Sequence, residues 1–172
     1  MIWKLVYRAC IGLATLASLG GPLGQPAFAA TPSPIHIDIP VVLKEAKIVM
    51  NMSSAPPPNA MPVGFRHMIS MTDLFKTTGT KWTIVAVFFG AGGEMLLSDE
   101  KYNEVKWTKT GNPYKAMLNK LVARGVKIEE CAVTMTAEGW TNKDLLRIAK
   151  VDAGGEARLV DLVQQGYVLL QN

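Results

Sequence analysis

Cys131 is the residue whose type and position could do chemistry. It follows a short predicted strand, residues 126–130, and opens a segment with a helical pattern, residues 131–138, that ends at Gly139. A thiolate is a strong nucleophile, and the unpaired N–H groups and dipole at a helix N-terminus favour such an anion. The position of Cys131 at the start of a predicted helix therefore predicts a reactive thiol. An inert core residue is the alternative, because free cysteine is among the most buried residue types.

Other residue types that could do chemistry form weaker patterns. Glu129 and Glu130 precede the cysteine without a visible partner, which favours a solvated strand end over an acid/base pair. Gly90, Gly92 and Gly93 match neither G-x-G-x-x-G nor the P-loop pattern, and are interpreted as a flexible turn. Two histidines and two cysteines without ligand spacing offer no metal cage. We expect no cofactor and no resident metal.

A group of methionines leaves one metal alternative open. Thioethers bind Cu(I), but methionine is also a common gap filler in apolar cores. Copper binding would depend on Met50, Met52, Met61, Met68 and Met71.

The first 29 residues have the layout of a secretory signal peptide. Lys4 and Arg8 precede an uncharged apolar run, residues 9–19, and Ala27 and Ala29 supply small residues for cleavage. The run is shorter than the roughly 20 residues that a membrane-spanning helix needs. We expect cleavage after Ala29, a periplasmic protein, an extended leader at residues 30–40 and one domain at residues 41–172.

Removal of this segment changes the charge and the number of thiols. The 172-residue chain has 18 Lys and Arg against 14 Asp and Glu, and the segment contains two of the basic residues and no acidic one. The remaining charge of about +2 does not favour nucleic-acid binding. Cys10 leaves with the segment, so Cys131 becomes an unpaired thiol in a compartment that oxidises thiols.

Apolar patterns along the mature chain alternate between strands and helices. Strands are predicted at residues 46–50, 82–89, 126–130, 149–152 and 167–170. Helices are predicted at residues 63–78, near 101–105, from 112–113 to 125, at 131–138, 142–148 and 155–165. This alternation predicts an α/β fold, a three-layer α/β/α domain with a five-stranded, mainly parallel sheet. Functional groups in such folds gather at the carboxyl ends of the strands, where we expect a substrate pocket near Cys131. Its candidate residues are Asn51, Phe89, Gly90, Asn112 and Tyr114.

Residues 121–135 resemble the DsrE family of sulfur-relay proteins. The shared pattern is a helix ending in Gly125-Val126, a short strand, and Cys131 opening the next helix; residues 112–114 and 158–167 resemble an exported branch. The resemblance implies a persulfide on Cys131 and, as partners, sulfur donor and acceptor proteins or small sulfane-sulfur compounds. It also implies homo-oligomers or hetero-oligomers of trimer or hexamer type, of which we expect a homo-oligomer. Two departures are Phe89 before Gly90, where relatives often have His, and the export of this chain.

Two functions follow from these observations. The first is an exported protein that handles sulfane sulfur, with Cys131 as persulfide acceptor and donor. The alternative is a non-catalytic oligomeric module that binds a small ligand or a protein partner. Neither a conventional hydrolase nor an oxidoreductase site is visible in the sequence.

Overall fold

The computed structural model describes residues 35–57 and 60–171. From Pro40 onward these residues form one compact unit, and the described residues 35–39, outside that unit, contain no helix or strand. The predicted signal peptide, residues 1–29, lies outside the described residues. Within the described ranges, no helix has both the length and the apolar character needed to cross a bilayer.

Strands and helices alternate along the described chain. The strands are β1 (Glu45–Met52), β2 (Lys81–Phe88), β3 (Lys127–Cys131), β4 (Ala149–Asp152) and β5 (Val168–Gln171). The α-helices are α1 (Val63–Thr78), α2 (Asp99–Lys106), α3 (Lys115–Ala123), α4 (Ala132–Glu138) and α5 (Gly155–Gln164). Two 3-10 helices, Gly90–Leu96 and Asn142–Asp144, lie in the connections.

All five strands form one parallel sheet in the order β4-β3-β2-β1-β5. Parallel neighbours need crossover connections, which the helices and the longer loops supply. The predicted five-stranded parallel α/β fold is therefore confirmed. Because the strands are parallel, their carboxyl ends lie along one edge, and Phe88 aligns there with Glu130, and Cys131 with Asp152.

Each face of the sheet packs against helices. One face, with Ile48, Met50, Ile84 and Phe88, joins the larger core, to which α1, α3 and α4 contribute Phe65, Met68, Leu118, Leu121 and Met135. The other face packs Val49, Val85 and Val87 against Leu159 and Leu162 of α5. Burial of apolar surface contributes about 25 cal/mol per Å², so these two layers supply the main stabilising free energy.

One predicted helix is wrong. Residues 142–148 form only a single 3-10 turn, Asn142–Asp144. After it, Leu145 makes an antiparallel bridge to Leu97, and the N–H of Leu146 donates to the carbonyl of Leu96 at 2.8 Å. These tertiary contacts hold the backbone extended and override the local helical pattern.

Candidate functional site

Cys131 is the last residue of β3 and the N-cap of α4. Its Sγ accepts hydrogen bonds from two backbone N–H groups, that of Thr134 at 3.4 Å and that of Gly155 at 3.1 Å. The side chain is buried, with 1% exposure. Within the described residues, Cys131 is a free cysteine that forms no disulfide bond. The sulfur thus lies in a dry, donor-lined position rather than in open solvent.

Two helix N-termini converge on this sulfur. Thr134 belongs to the first turn of α4, and Gly155 is the first residue of α5. N–H groups and helix dipoles at N-termini stabilise a negative charge, so both helices favour an anionic sulfur. The sequence predicted the contribution of α4 only. The second donor could have been found from Gly155, which follows the carboxyl end of the neighbouring strand.

Phe89 and Gly90 contact the two residues that donate to the sulfur. A side chain on Gly155 would place its Cβ 2.7 Å from Cγ of Phe89, so only glycine lets α5 approach the ring this closely. The N–H of Gly90 donates to Oγ1 of Thr134 at 2.8 Å, which ties the loop after β2 to α4. These two predicted pocket residues are therefore linked to Cys131 indirectly, Phe89 through Gly155 and Gly90 through Thr134.

Glu130 is fully buried, at 0% exposure, so the predicted solvated strand end is wrong for this residue. By alternation it lies on the sheet face opposite Cys131, and a Cβ on Gly93 would lie only 2.5 Å from its Oε1. The glycines after β2 thus form a packed 3-10 turn instead of a flexible one. Every second residue from Val126 through Ile128 to Glu130 faces the same side of the sheet, and this alternation could have indicated that Glu130 is buried.

The electrostatic environment of Glu130 opposes its ionisation. Burial, together with the charges of Cys131 and Asp152, raises the pKa of this carboxyl to about 8, although the backbone N–H of Cys131 acts in the opposite direction. Neither carboxyl oxygen has a partner with full hydrogen-bond geometry in the described part of the chain. At neutral pH the group is therefore predominantly protonated.

The negative charge of Glu129, the other acidic residue near Cys131, is compensated by Arg158. Arg158 of α5 donates to both carboxylate oxygens of Glu129, at 2.7 and 3.0 Å, and also to Asp161 at 2.5 Å. The hydrogen bond to Glu129 is the main cause that raises the pKa of Arg158. Asp152 accepts from the N–H of Gly154 at 2.8 Å, and burial raises its pKa.

None of the other predicted pocket residues makes a side-chain hydrogen bond to Cys131 within the described part of the chain. Asn51 is the penultimate residue of β1, and its buried Oδ1 has no hydrogen-bond partner among the described residues. Asn112 is a structural residue: its Nδ2 donates to the carbonyls of Met95 and Leu97, at 2.9 and 2.6 Å. Its Oδ1 accepts from the N–H of Tyr114, and α3 begins only at Lys115, later than predicted.

Tyr114 lies at a separate cavity of about 330 Å³. The cavity is also lined by Tyr102, whose ring meets that of Tyr114 edge-on at 6.2 Å, and by the ion-paired Glu94 and Lys106. Burial raises the pKa of both tyrosines, so both hydroxyls stay protonated at neutral pH. The cavity is suited to binding and has no nucleophile among these four side chains.

The described residues do not form an evident metal site. No group of three or more His, Cys, Asp or Glu side chains within residues 35–57 and 60–171 could hold a metal ion. Met50, Met52 and Met68, three of the candidate copper ligands, are fully buried in the larger core, where Met71 also packs, whereas Met61 is exposed. The positions of Met50, Met52, Met68 and Met71 agree with a packing role.

Comparisons with known proteins identify a family and solved structures with a similar fold. The sequence model of the DsrE/DsrF-like family matches residues 46–171. A protein of unknown function, MTH1491 of Methanobacterium thermoautotrophicum, is similar at 17% identity and TM-score 0.58, over 74% of this chain and 99% of that one. The YchN protein of E. coli is similar at 16% identity and TM-score 0.53, with the same coverage. No curated protein matches the sequence.

Proposed function

This chain belongs to the DsrE/DsrF-like family, whose fold is of the sulfur-relay type, and we propose that it carries sulfane sulfur as a persulfide on Cys131. The observation that supports this most is the position of Sγ, which accepts N–H groups from the first turns of two helices. A thiolate and a persulfide are both anions at sulfur, and this arrangement favours both.

The proposed chemistry needs only the thiol and a sulfur donor. The thiolate of Cys131 attacks the outer sulfur of a donor persulfide, R–S–SH. A bond forms between Sγ and that sulfur, the donor S–S bond breaks, and the donor leaves as R–S⁻ with the bonding electron pair. Attack by an acceptor thiolate on the outer sulfur of the Cys131 persulfide reverses the process and regenerates the Cys131 thiolate.

The burial of the sulfur limits which donors can react. Cys131 is 1% exposed, and the ring of Phe89 packs against Gly155 beside it. A donor therefore needs a displacement of Phe89 or of the neighbouring backbone, for which the left-handed Gly90 (φ 53°) is a natural hinge. Small polysulfides and a partner protein's exposed persulfide are the donor classes that meet this requirement.

Mass spectrometry of the intact chain tests the proposal. A Cys10→Ser chain treated with polysulfide should gain one or more sulfur atoms, and reductant should remove them. The same chain with Cys131→Ser should keep its circular dichroism spectrum and gain none. A Cys131 that takes up no sulfur and resists alkylation until the protein unfolds would contradict the proposal and identify the residue as part of the core.

A binding module is the second candidate, and the cavity at Tyr102 and Tyr114 is the observation that favours it. Such a module would hold a small polar ligand between the two hydroxyls and the pair formed by Glu94 and Lys106. Thermal-shift screening separates the two functions. A ligand of the cavity should stabilise the Cys131→Ser chain as much as the wild type, and Tyr114→Ala should abolish that effect.

Export remains part of the proposal. We infer cleavage after Ala29, a short leader at residues 30–40 and a periplasmic domain from residue 41 onward, on the sequence pattern described above. N-terminal sequencing of the exported protein should begin at Ala30. A secreted or membrane-bound form that still begins at Met1 would contradict this inference.

A further inference from the structure

We propose that an N-terminal arm, residues 35–39, adds as a further strand to the open edge of β5 in a second copy of this chain. Cleavage after Ala29, inferred above, leaves this arm on the mature protein. The proposal concerns a surface between copies of the chain, and it does not depend on sulfur transfer by Cys131.

The arm has the side-chain pattern of a strand and exposes its apolar face. Residues 35–39 alternate between isoleucine and a polar residue, and Ile37 and Ile39 are 71% and 82% exposed. Such alternation is typical of a strand that covers an apolar surface with one face. The other polar positions are His36 and Asp38, whose Nε2 and Oδ1 atoms lie 3.4 Å apart. The arm forms no strand within the described single chain.

The two edges of the sheet differ in how they are protected. Within the described residues, β4 and β5 are the outer strands, and each pairs on one side only. Proteins protect such edges with charged residues or proline. The β4 strand contains Lys150 and Asp152, whereas β5 has neither a charge nor a proline. Val168 and Leu169 of β5 are also 61% and 38% exposed. The β5 edge is therefore the one suited to accept a strand.

The two faces of the arm match the two faces at the β5 edge. Val168 lies on the side of the larger core, so the isoleucines fit beside it and Asp38 is directed to the other side, that of Lys47. Nζ of Lys47 donates to the carbonyl of Gln165 at 2.8 Å and lies 5.1 Å from the ring centroid of Tyr167, just before β5. No carboxylate among the described residues pairs with this ammonium. The charges of Lys47 and Asp38 are thus complementary.

A second copy is the occupant that these observations favour. The described single chain leaves both the isoleucines of the arm and the β5 edge exposed, whereas each copy can offer its arm to one neighbour and its β5 edge to another. Main-chain hydrogen bonds along the edge then give affinity, and the isoleucines give specificity. The contact joins two different surfaces, and such contacts form a ring when the rotation between copies closes.

Cross-linking between two chains tests the proposal. Both full chains carry Cys10→Ser, one also carries Ile37→Cys and the other Val168→Cys, and the two are co-expressed. A short bismaleimide should join position 37 of one chain to position 168 of the other, as identified by peptide mass spectrometry. This product can form only between copies, because each chain has one of the two new cysteines. Its absence would overturn the proposal.

The matched control replaces Val168→Cys by Val151→Cys, at an exposed valine of the other edge strand. It should give no cross-link to position 37. Equal yields at the two edges, or cross-links only between two copies of position 37, would overturn the proposal. A chain with both Ile37→Cys and Val168→Cys, co-expressed with excess wild type, should lose the product. A product that persists would mean that the arm pairs with its own sheet, which also contradicts the proposal.

Light scattering over a dilution series gives a second measurement. Ile37→Glu places a charge on the face of the arm that becomes buried, and should raise the concentration at which the oligomer dissociates by about tenfold or more. His36→Glu places the same charge on the opposite face and should leave that concentration within about twofold of the wild-type value. Equal effects of the two substitutions would refute the assigned face of the arm.

Discussion

Two adjacent acids at the end of β3 have opposite surroundings. Glu129 is held by a bidentate hydrogen bond from Arg158, which compensates its charge. The carboxyl of Glu130 packs closely against Gly93, and no basic side chain among the described residues hydrogen-bonds to it and compensates its charge. A buried carboxyl without a counter-charge takes up a proton instead of ionising, which couples the stability of the fold to pH.

Glu130 should make the protein less stable as the pH rises. Between its ordinary pKa of 4.5 and its folded pKa of about 8, the folded state keeps the proton and the unfolded state releases it. At about 1.36 kcal/mol per pH unit, Glu130→Gln should gain about 3–5 kcal/mol relative to the wild type between pH 5 and pH 8. Urea unfolding at several pH values measures this gain. Parallel stability curves for the two proteins would contradict it.

Gly155 should tolerate no side chain. In Gly155→Ala the new Cβ meets the ring of Phe89 at 2.7–2.8 Å, and overpacking of this kind typically costs about 1–3 kcal/mol. Displacement of the α5 N-terminus should also weaken the N–H···S contact and lower the rate of Cys131 alkylation. Urea unfolding and alkylation kinetics measure the two effects.

Gly154 offers the control for this substitution. A Cβ there would meet only Val133 and Ala157, at the ordinary distances of 3.7 and 4.0 Å. Gly154→Ala should therefore cost less than about 1 kcal/mol and leave the alkylation rate of Cys131 unchanged. Equal effects of the two substitutions would show that the contact with Phe89 does not determine the approach of α5.

The position of Cys131 at a strand end that begins a helix could be read from local pattern alone. Its second hydrogen-bond donor could not, because Gly155 comes 24 residues later and meets the sulfur only through the pairing of β3 with β4. The burial of Glu130 was readable from strand alternation, although charge suggested solvent. Chemistry set by neighbours in sequence was thus predictable. For contacts made through the sheet, the order and alternation of the strands gave a signal, but the contacts themselves required the structure.

The connection between α2 and α3 depends on one buried amide. Asn112 is 6% exposed and joins the carbonyls of Met95 and Leu97 to the N–H of Tyr114. Asn112→Ala should cost about 2–4 kcal/mol, because it leaves two buried carbonyls unsatisfied. The exposed Asn119 on α3 is the control, and Asn119→Ala should change the stability by less than about 0.5 kcal/mol. Similar losses in the two variants would argue against this role.

Helix α1 was predicted with the bounds that the structure has, whereas the equally periodic α3 is shorter at both ends than predicted. Helix α1 spans Val63–Thr78, as its apolar stripe indicates, and Gly79 ends it in the left-handed conformation. The helix predicted at residues 142–148 is wrong because Leu145 makes a β-bridge to Leu97, which is distant in sequence. Periodicity reports which face is buried, but it does not reveal a bridge to a segment more than forty residues away.

Apolar side chains remain exposed on α5 and on the edge strand β5. Val160 and Val163 of α5 and Val168 and Leu169 of β5 are exposed. Exposed apolar groups of this kind are often covered in assemblies. We expect a homo-oligomer, a trimer or hexamer, by size-exclusion chromatography with light scattering. Its mass should not change with reductant, because the buried Cys131 does not link subunits. A monomer at micromolar concentration would contradict this prediction.

The pairing of β5 with β1 also constrains how the chain can acquire its fold. Ile48 aligns with Val168, 120 residues downstream, so β1 lacks its outer neighbour until β5 has been synthesised. Until then one side of a central strand presents unpaired N–H and C=O groups, which invite pairing with another chain. During synthesis, the nascent protein should therefore be most prone to aggregation just before β5 emerges, and a chaperone that covers the β1 edge should protect it.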